Sequence, residues 1–277
     1  MARRFADAGH VVMLWNRDRA KAEALAGDIG AKIADTPAEA AASSDILVSS
    51  LGDDEALLTV YLGPEGVAEG SSSQTVAADT STVAPVSIAE VGAAMDGIGA
   101  GFVDCPVSGS VSTVEAGGLI VMAGGDPGVI DHVEPVLGAI AKRVIRVGGR
   151  GAGAACKLAV NALVHGLNIA LAEALVLAEK AGVDRSLAYE VFASGAGGAP
   201  FVQYKREAYE HPEKAKVAFS LDLVAKDLEL IVGLGEAVGS PMRQAETGRD
   251  IVKDAIDKGL GDADLSAVAV YLRGLEH

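Results

Sequence analysis

Gly151-Ala-Gly-Ala-Ala-Cys-Lys157-Leu-Ala-Val-Asn161 is the stretch at which the character of the chain changes. Ahead of it, short β-branched runs alternate with helical patterns; beyond it, only helical patterns follow. It opens the longest of these, a helix predicted over residues 152–180. At 100° per residue, Lys157, Asn161 and Asn168 fall in a stripe about 40° wide, with His165 at its edge. The remaining surface carries Leu158, Val160, Leu163, Val164, Leu167, Ile169, Leu171 and alanines, the pattern of a helix buried on most sides. Lys157 opposes the helix dipole, and that field with partial burial favours the neutral amine, which suits a proton-exchanging group. The competing reading is a lysine that snorkels to water. Asn161, one turn on and aimed the same way, brings the two level.

Upstream, strands are predicted at 11–15, 46–50, 76–79, 102–104, 119–123 and 143–147, with helices at 17–26, 37–42, 54–62, 85–95 and 127–137. Thr36-Pro37 and Asp126-Pro127 supply helix starts. This alternation is that of βαβ units on a parallel sheet, an α/β doubly wound domain over residues 1–149. Downstream, helices are predicted at 152–180, 184–194, 200–209, 221–239, 241–258 and 264–273, with Gly182 closing the first and Asp184 capping the second. Residues 150–274 therefore read as an all-α domain. Residues 275–277 read as a tag remnant.

The chain of 277 residues is half hydrophobic and carries a net charge of −15, long enough for two cores. That charge argues against nucleic acid and anionic membranes as partners. Five basic residues among the first 22 (Arg3, Arg4, Arg17, Arg19, Lys21) outnumber Asp7 and Asp18, which suits an anionic ligand near that end. Cys105 and Cys156 form no metal-ligand spacing and read as buried thiols of a cytoplasmic protein, with no metal. Asp7, His10, Asn16 and Arg17 interrupt what a signal peptide needs to be apolar. In the helix at 152–180, Lys157, Asn161, His165, Asn168 and Glu173 interrupt any membrane span.

A dinucleotide-binding domain carries G-x-G-x-x-G after its first strand, where backbone N–H groups and a helix start receive the pyrophosphate. That loop is absent; Met1 to His10 reads as the helix that would follow it. Gly149-Arg-Gly151-Ala-Gly153-Ala154 matches G-x-G-x-x-A, but no strand follows the long helix to present a ribose-binding acid, so it reads as an interdomain hinge.

Four motifs carry a resemblance. Ala8-Gly9-His10-Val11 leads to Trp15-Asn16-Arg17; Asp104-Cys-Pro-Val-Ser108-Gly109-Ser110 resembles D-x-P-V-S-G-G; Gly151-x-Gly153-x-x-x-Lys157-x-x-x-Asn161 resembles G-x-G-x-x-x-K-x-x-x-N; Phe219 to Leu228 is similar to F-x-L-x-L-x-x-K-D-L. In this order and spacing the chain resembles the β-hydroxyacid dehydrogenases, the group of 3-hydroxyisobutyrate dehydrogenase within the 6-phosphogluconate dehydrogenase superfamily. Ser110 departs from the pattern where a second glycine is usual. The resemblance also implies a first strand and glycine loop ahead of Met1. Their absence reads as a shortened chain or a misassigned start, or as a rearranged sheet with two open edges in its middle.

The resemblance implies a Rossmann-like domain followed by a helical substrate and dimerisation domain, and hydride transfer between a nicotinamide cofactor and a small 3-hydroxy acid or its semialdehyde. Lys157 is then the general acid/base, Ser108, Gly109, Ser110 and Asn161 bind the substrate carboxylate and hydroxyl, and Lys226 approaches both cofactor and substrate. Asp227 is expected to pair or cap, and His165 to be a core or interface histidine. Asn16, Arg17, Leu51, Ser81 and Thr82 line the cofactor groove. Asn16-Arg17 replaces the acid that selects NAD, so NADP is expected over NAD. A homodimer or homotetramer is expected. Two alternatives remain: an imine reductase-like enzyme, a class that generally lacks the lysine, and a dinucleotide-binding protein without catalysis.

Overall fold

The computed structural model describes residues 1–275 and comprises two compact units, Met1–Lys157 and Leu158–His277. Of the segment read as a tag, Glu276 and His277 lie outside the described residues.

The first unit runs α1 (Ala2–Asp7), β1 (Met13–Leu14), α2 (Arg19–Ile29), β2 (Lys32–Ile33), α3 (Pro37–Ala42), β3 (Ile46–Ser49), α4 (Asp54–Leu62), α5 (Val67–Gly70), β4 (Val76–Asp79), α6 (Pro85–Gly97), β5 (Gly101–Asp104), β6 (Val107–Ser108), α7 (Val111–Glu115), β7 (Leu119–Gly124), α8 (Pro127–Leu137) and β8 (Ala141–Gly148). Its helices begin where local chemistry directs: the side chains of Asp18, Thr36, Asp53 and Asp126 each accept a backbone N–H of the first turn. Prolines occupy the first helical position of α3, α6 and α8, where a missing N–H costs nothing.

β3, β4 and β5 pair in parallel, and alternate residues face opposite sides. Ala77 and Phe102 join one core with Leu57, Ile88 and Met95; Ala78 and Val103 join the other with Ile130, Val133 and Leu137. β1 pairs in parallel with β2 alone, in a separate two-stranded sheet. The parallel run is thus interrupted between β1 and β3.

The sheet is not all-parallel. β7 is antiparallel to β5 and β6 while parallel to β8. The chain from Ser108 to Leu119 holds only the five-residue α7, which is too short for the crossover that a parallel pair requires. β5 and β6 keep one register along β7, Asp104 opposite Gly124 and Val107 opposite Val121. Pro106, without an N–H, interrupts that edge but still accepts from Met122 N at 2.9 Å.

α9 (Ala152–Lys180) is unbroken over 29 residues. It is long and apolar enough to cross a membrane by length and composition, contrary to the sequence expectation, but half of its most apolar window is buried inside the protein. The second unit adds α10 (Arg185–Ser194), α11 (Pro200–Glu210), α12 (Leu221–Val238), α13 (Arg243–Ala255) and α14 (Val268–Arg273), with short helical turns at Ile256–Leu260 and Leu265–Ala267. Leu158, Leu171, Leu175, Tyr189, Phe201, Tyr209, Val224, Leu228, Val252 and Val268 form its core. Within it Lys205 Nζ lies 2.8 and 2.9 Å from the carboxylate oxygens of Asp264, which also accepts from Ala218 N and from Ser266.

Candidate functional site

In the first unit the start of α9 is held by a remote side chain. The glycine-rich segment ahead of it offers no side chain that could cap a helix. Asp104, at the end of β5, substitutes: its two carboxylate oxygens accept from Gly151 N and Ala154 N, each at 2.8 Å. A buried anion thus satisfies the orphan donors of a long helix and meets the positive end of its dipole. Burial pushes the Asp104 carboxyl up, against the pull of the Gly151 and Ala154 amides. Gly151 has φ +85°, and a Cβ on Gly153 would lie 2.5 Å from Met122 O and 2.6 Å from Asp104 O. The segment read as an interdomain hinge packs against the ends of β5 and β7. The compact units divide later, between Lys157 and Leu158. Half-buried Lys157 lies in the second turn of α9.

The loops after β3 and β4 are joined by hydrogen bonds. Ser81 Oγ donates to Asp79 Oδ1 at 2.7 Å and accepts from Leu51 N at 2.8 Å, and Ser49 Oγ, itself 2.8 Å from Tyr61 Oη, donates to the same Asp79 oxygen at 2.6 Å. Ser81 is only 3% exposed. Its hydroxyl ties the two loops together. Leu51 and Thr82 remain half-buried on those loops. Burial raises the Asp79 carboxyl to about 6, although the bonds from Ser49 and Ser81 pull it down.

The turn after β6 is shaped by Gly109, whose φ of +143° suits glycine. Ser108 is half-buried. Ser110 and Thr113 form a reciprocal capping box on α7, so the hydroxyl expected to reach substrate is engaged in its own helix start. A separate cavity of about 230 Å³ is lined by Trp15, Asn16, Arg17, Arg19, Ala22, Ile33, Ala34 and Asp35. Asn16 Oδ1 accepts from Asp18 N at 2.9 Å, holding the turn. Arg19 pairs with Glu23 and Asp35, whereas exposed Arg17 makes no ion pair among the described residues. An indole, two guanidiniums and an open mouth fit the adenosine end of a dinucleotide.

In the second unit, Asp227 of α12 gathers the polar residues of α9. Asn161 Nδ2 donates to Asp227 Oδ2 at 2.6 Å, His165 Nε2 lies 3.2 Å from the same oxygen, and Lys226 Nζ lies 3.1 Å from Oδ1. Burial pushes the Asp227 carboxyl up, but the bond from His165 and the Lys226 charge outweigh it and leave the group below the usual range. An isolated Lys-Asp pair reads as a solvated face, yet Asp227 is fully buried. One of the two amide hydrogens of Asn161 is engaged by Asp227. Asn168 is buried, donating to Leu265 O at 3.0 Å and accepting from Tyr209 Oη at 2.7 Å. Among the described residues no cluster of His, Cys, Asp and Glu could hold a metal ion.

The hydrogen-bonding roles of Asp79, Asp104 and Arg19 were not foreseen, whereas Asp227 pairs as the resemblance implied. For Asp104 a signal existed: a 29-residue helix with no capping side chain at its start requires a remote acceptor.

Two family models match. One, described as the NAD binding domain of 6-phosphogluconate dehydrogenase, covers residues 1–149; the other, described as NAD-binding of NADP-dependent 3-hydroxyisobutyrate dehydrogenase, covers residues 151–272. The chain belongs to the β-hydroxyacid dehydrogenase family. It is 34% identical to glyoxylate/succinic semialdehyde reductase 2 of Arabidopsis thaliana, over 99% of this chain and 76% of that one. It is 35% identical to 2-(hydroxymethyl)glutarate dehydrogenase of Eubacterium barkeri, over 86% of this chain and 79% of that one. Among solved structures, 3-hydroxyisobutyrate dehydrogenase of Mycobacterium tuberculosis with L-serine superposes with a TM-score of 0.87 at 29% identity, over 99% of this chain and 94% of that chain. The chain is an oxidoreductase of this family, and its cofactor is a nicotinamide dinucleotide.

Proposed function

We propose that the protein is an NADP-dependent dehydrogenase of small 3-hydroxy acids, acting reversibly on their semialdehydes. The observation that carries this reading is the start of α9, where a helix anchored by Asp104 presents Lys157 and, one turn on, Asn161 along one stripe. The substrates named for these relatives pair a carboxylate with an oxidisable or reducible carbon, which supports a small carboxylate as substrate.

The nicotinamide, when bound, supplies or accepts the hydride. Lys157 gives or takes the proton of the substrate hydroxyl as that carbon is reduced or oxidised. The turn at Ser108, Gly109 and Ser110 receives the carboxylate through the Gly109 backbone N–H and the Ser108 hydroxyl. Asn161 orients the reacting oxygen, and Lys226 adds positive charge toward cofactor and substrate. Asn16 and Arg17 hold the ribose end, with Arg17 open to pair with a 2′-phosphate; Leu51 and Thr82 line the groove. Residues 1–149 form the cofactor domain and residues 150–274 the substrate and dimerisation domain of a homodimer or homotetramer. A cytoplasmic setting accords with two free thiols.

Titration with NADPH, followed by dihydronicotinamide fluorescence, and a turnover panel of hydroxyisobutyrate, serine, glycerate, hydroxybutyrate and their semialdehydes test the reading. Lys157→Ala should lower kcat by about a hundredfold or more with NADPH affinity nearly intact. Turnover that survives this change removes Lys157 as the acid/base.

A further inference from the structure

Asp227 and His165 have no part in the chemistry proposed above, yet their exposures are only 0% and 3%. A carboxylate can only accept, so the imidazole presents an N–H at Nε2 to Asp227 Oδ2. Nδ1 is then left buried with no hydrogen-bond partner, and the ring lies 5.9 Å from that of Phe219 at 33°. Packing alone does not account for a histidine here, because an apolar side chain would fill the space without burying an unpaired nitrogen. What the histidine adds is its one bond.

That bond falls on the oxygen that also receives Asn161 Nδ2, while the other oxygen faces Lys226 Nζ. Two donors from successive turns of α9 therefore fix the plane of one carboxylate. Without the imidazole, Asp227 is free to turn Oδ2 toward Lys226, and the Asn161 amide follows or reverses, exchanging its donor and acceptor.

We propose that His165 is a positioning residue, which through Asp227 fixes the orientation of the Asn161 amide. Its effect on turnover rests on the dehydrogenase reading; its effect on Asn161 does not.

The test uses ¹⁵N-labelled full-length protein together with steady-state kinetics. In the unaltered protein, long-range ¹H–¹⁵N correlations should show the Nε2–H tautomer of His165. His165→Phe keeps a ring against Phe219 but removes the donor. It should displace the Asn161 side-chain amide resonances, assigned by comparison with Asn161→Ala, and lower kcat by about tenfold with NADPH affinity unchanged. His165→Gln, whose Nε2 can reach the same oxygen, should restore both, and in an Asn161→Ala background His165→Phe should add nothing further to the loss in kcat. Should His165→Phe fail to fold, the tautomer and the Gln variant still decide. An Nδ1–H tautomer, unmoved Asn161 resonances, or an equal loss of kcat in the Asn161→Ala background overturns the proposal. If the unaltered protein reduces no member of the panel, the dehydrogenase reading fails while the resonance measurements still settle what His165 does.

Discussion

Asp79 illustrates what burial does to a single carboxyl. It is enclosed by Ser49, Tyr61 and Ser81, and its value of about 6 lies above the ordinary 3.8. Ionisation is therefore harder in the folded chain than in the unfolded one. Asp79 contributes its full stability below about pH 4, and the contribution is lost as pH rises through about 6, on the order of 3 kcal/mol in all. Asp79→Asn should accordingly gain on the unaltered protein between about pH 4 and pH 7, by about 2–3 kcal/mol in urea unfolding. A difference that does not change with pH would show that the carboxyl is not buried in solution. No pattern in the sequence separates this aspartate from the exposed Asp53, because the distinction comes from Tyr61 and Ser49, brought from 18 and 30 residues away. Lys157 and Asn161 were legible, since helical periodicity alone puts them on one stripe.

At the scale of elements, α9 combines a strong local pattern with a start that only the sheet can complete. Gly153 shows which force prevails there. Alanine would add about 1 kcal/mol of helix propensity, but its Cβ would meet Met122 O at 2.5 Å and Asp104 O at 2.6 Å, both backbone atoms. Gly153→Ala should thus be net destabilising, by about 1–3 kcal/mol, as measured by thermal or denaturant unfolding. Asp104→Ala should cost about 2 kcal/mol or more, since it leaves the amides of Gly151 and Ala154 without their acceptor. Long periodic elements such as α4, α9 and α12 are readable from residues alone. The two-residue strands β2 and β6 and the short helices α5 and α7 were missed, because so few residues carry no periodicity. The antiparallel entry of β7 was likewise hidden until the connection before it proved too short to cross over.

For the molecule as a whole, each compact unit has its own core, so damage in one should register there first. Lys205→Ala strands the buried Asp264 and should cost about 3–5 kcal/mol. Hydrogen exchange should then accelerate among residues 158–275 before the sheet residues of the first unit follow; uniform acceleration would mean that the chain unfolds as one block. The sequence by itself determined the α/β-then-α order, the family and the stripe of Lys157 and Asn161, because these follow from short-range periodicity and from motif spacing. Only the tertiary structure decided that Asp104 caps α9, that Ser81 serves Asp79, and that Asp227 holds Asn161 and His165. The first and third join residues 47 to 66 positions apart and the second turns on burial, and which buried donor meets which acceptor is settled by packing rather than by local pattern.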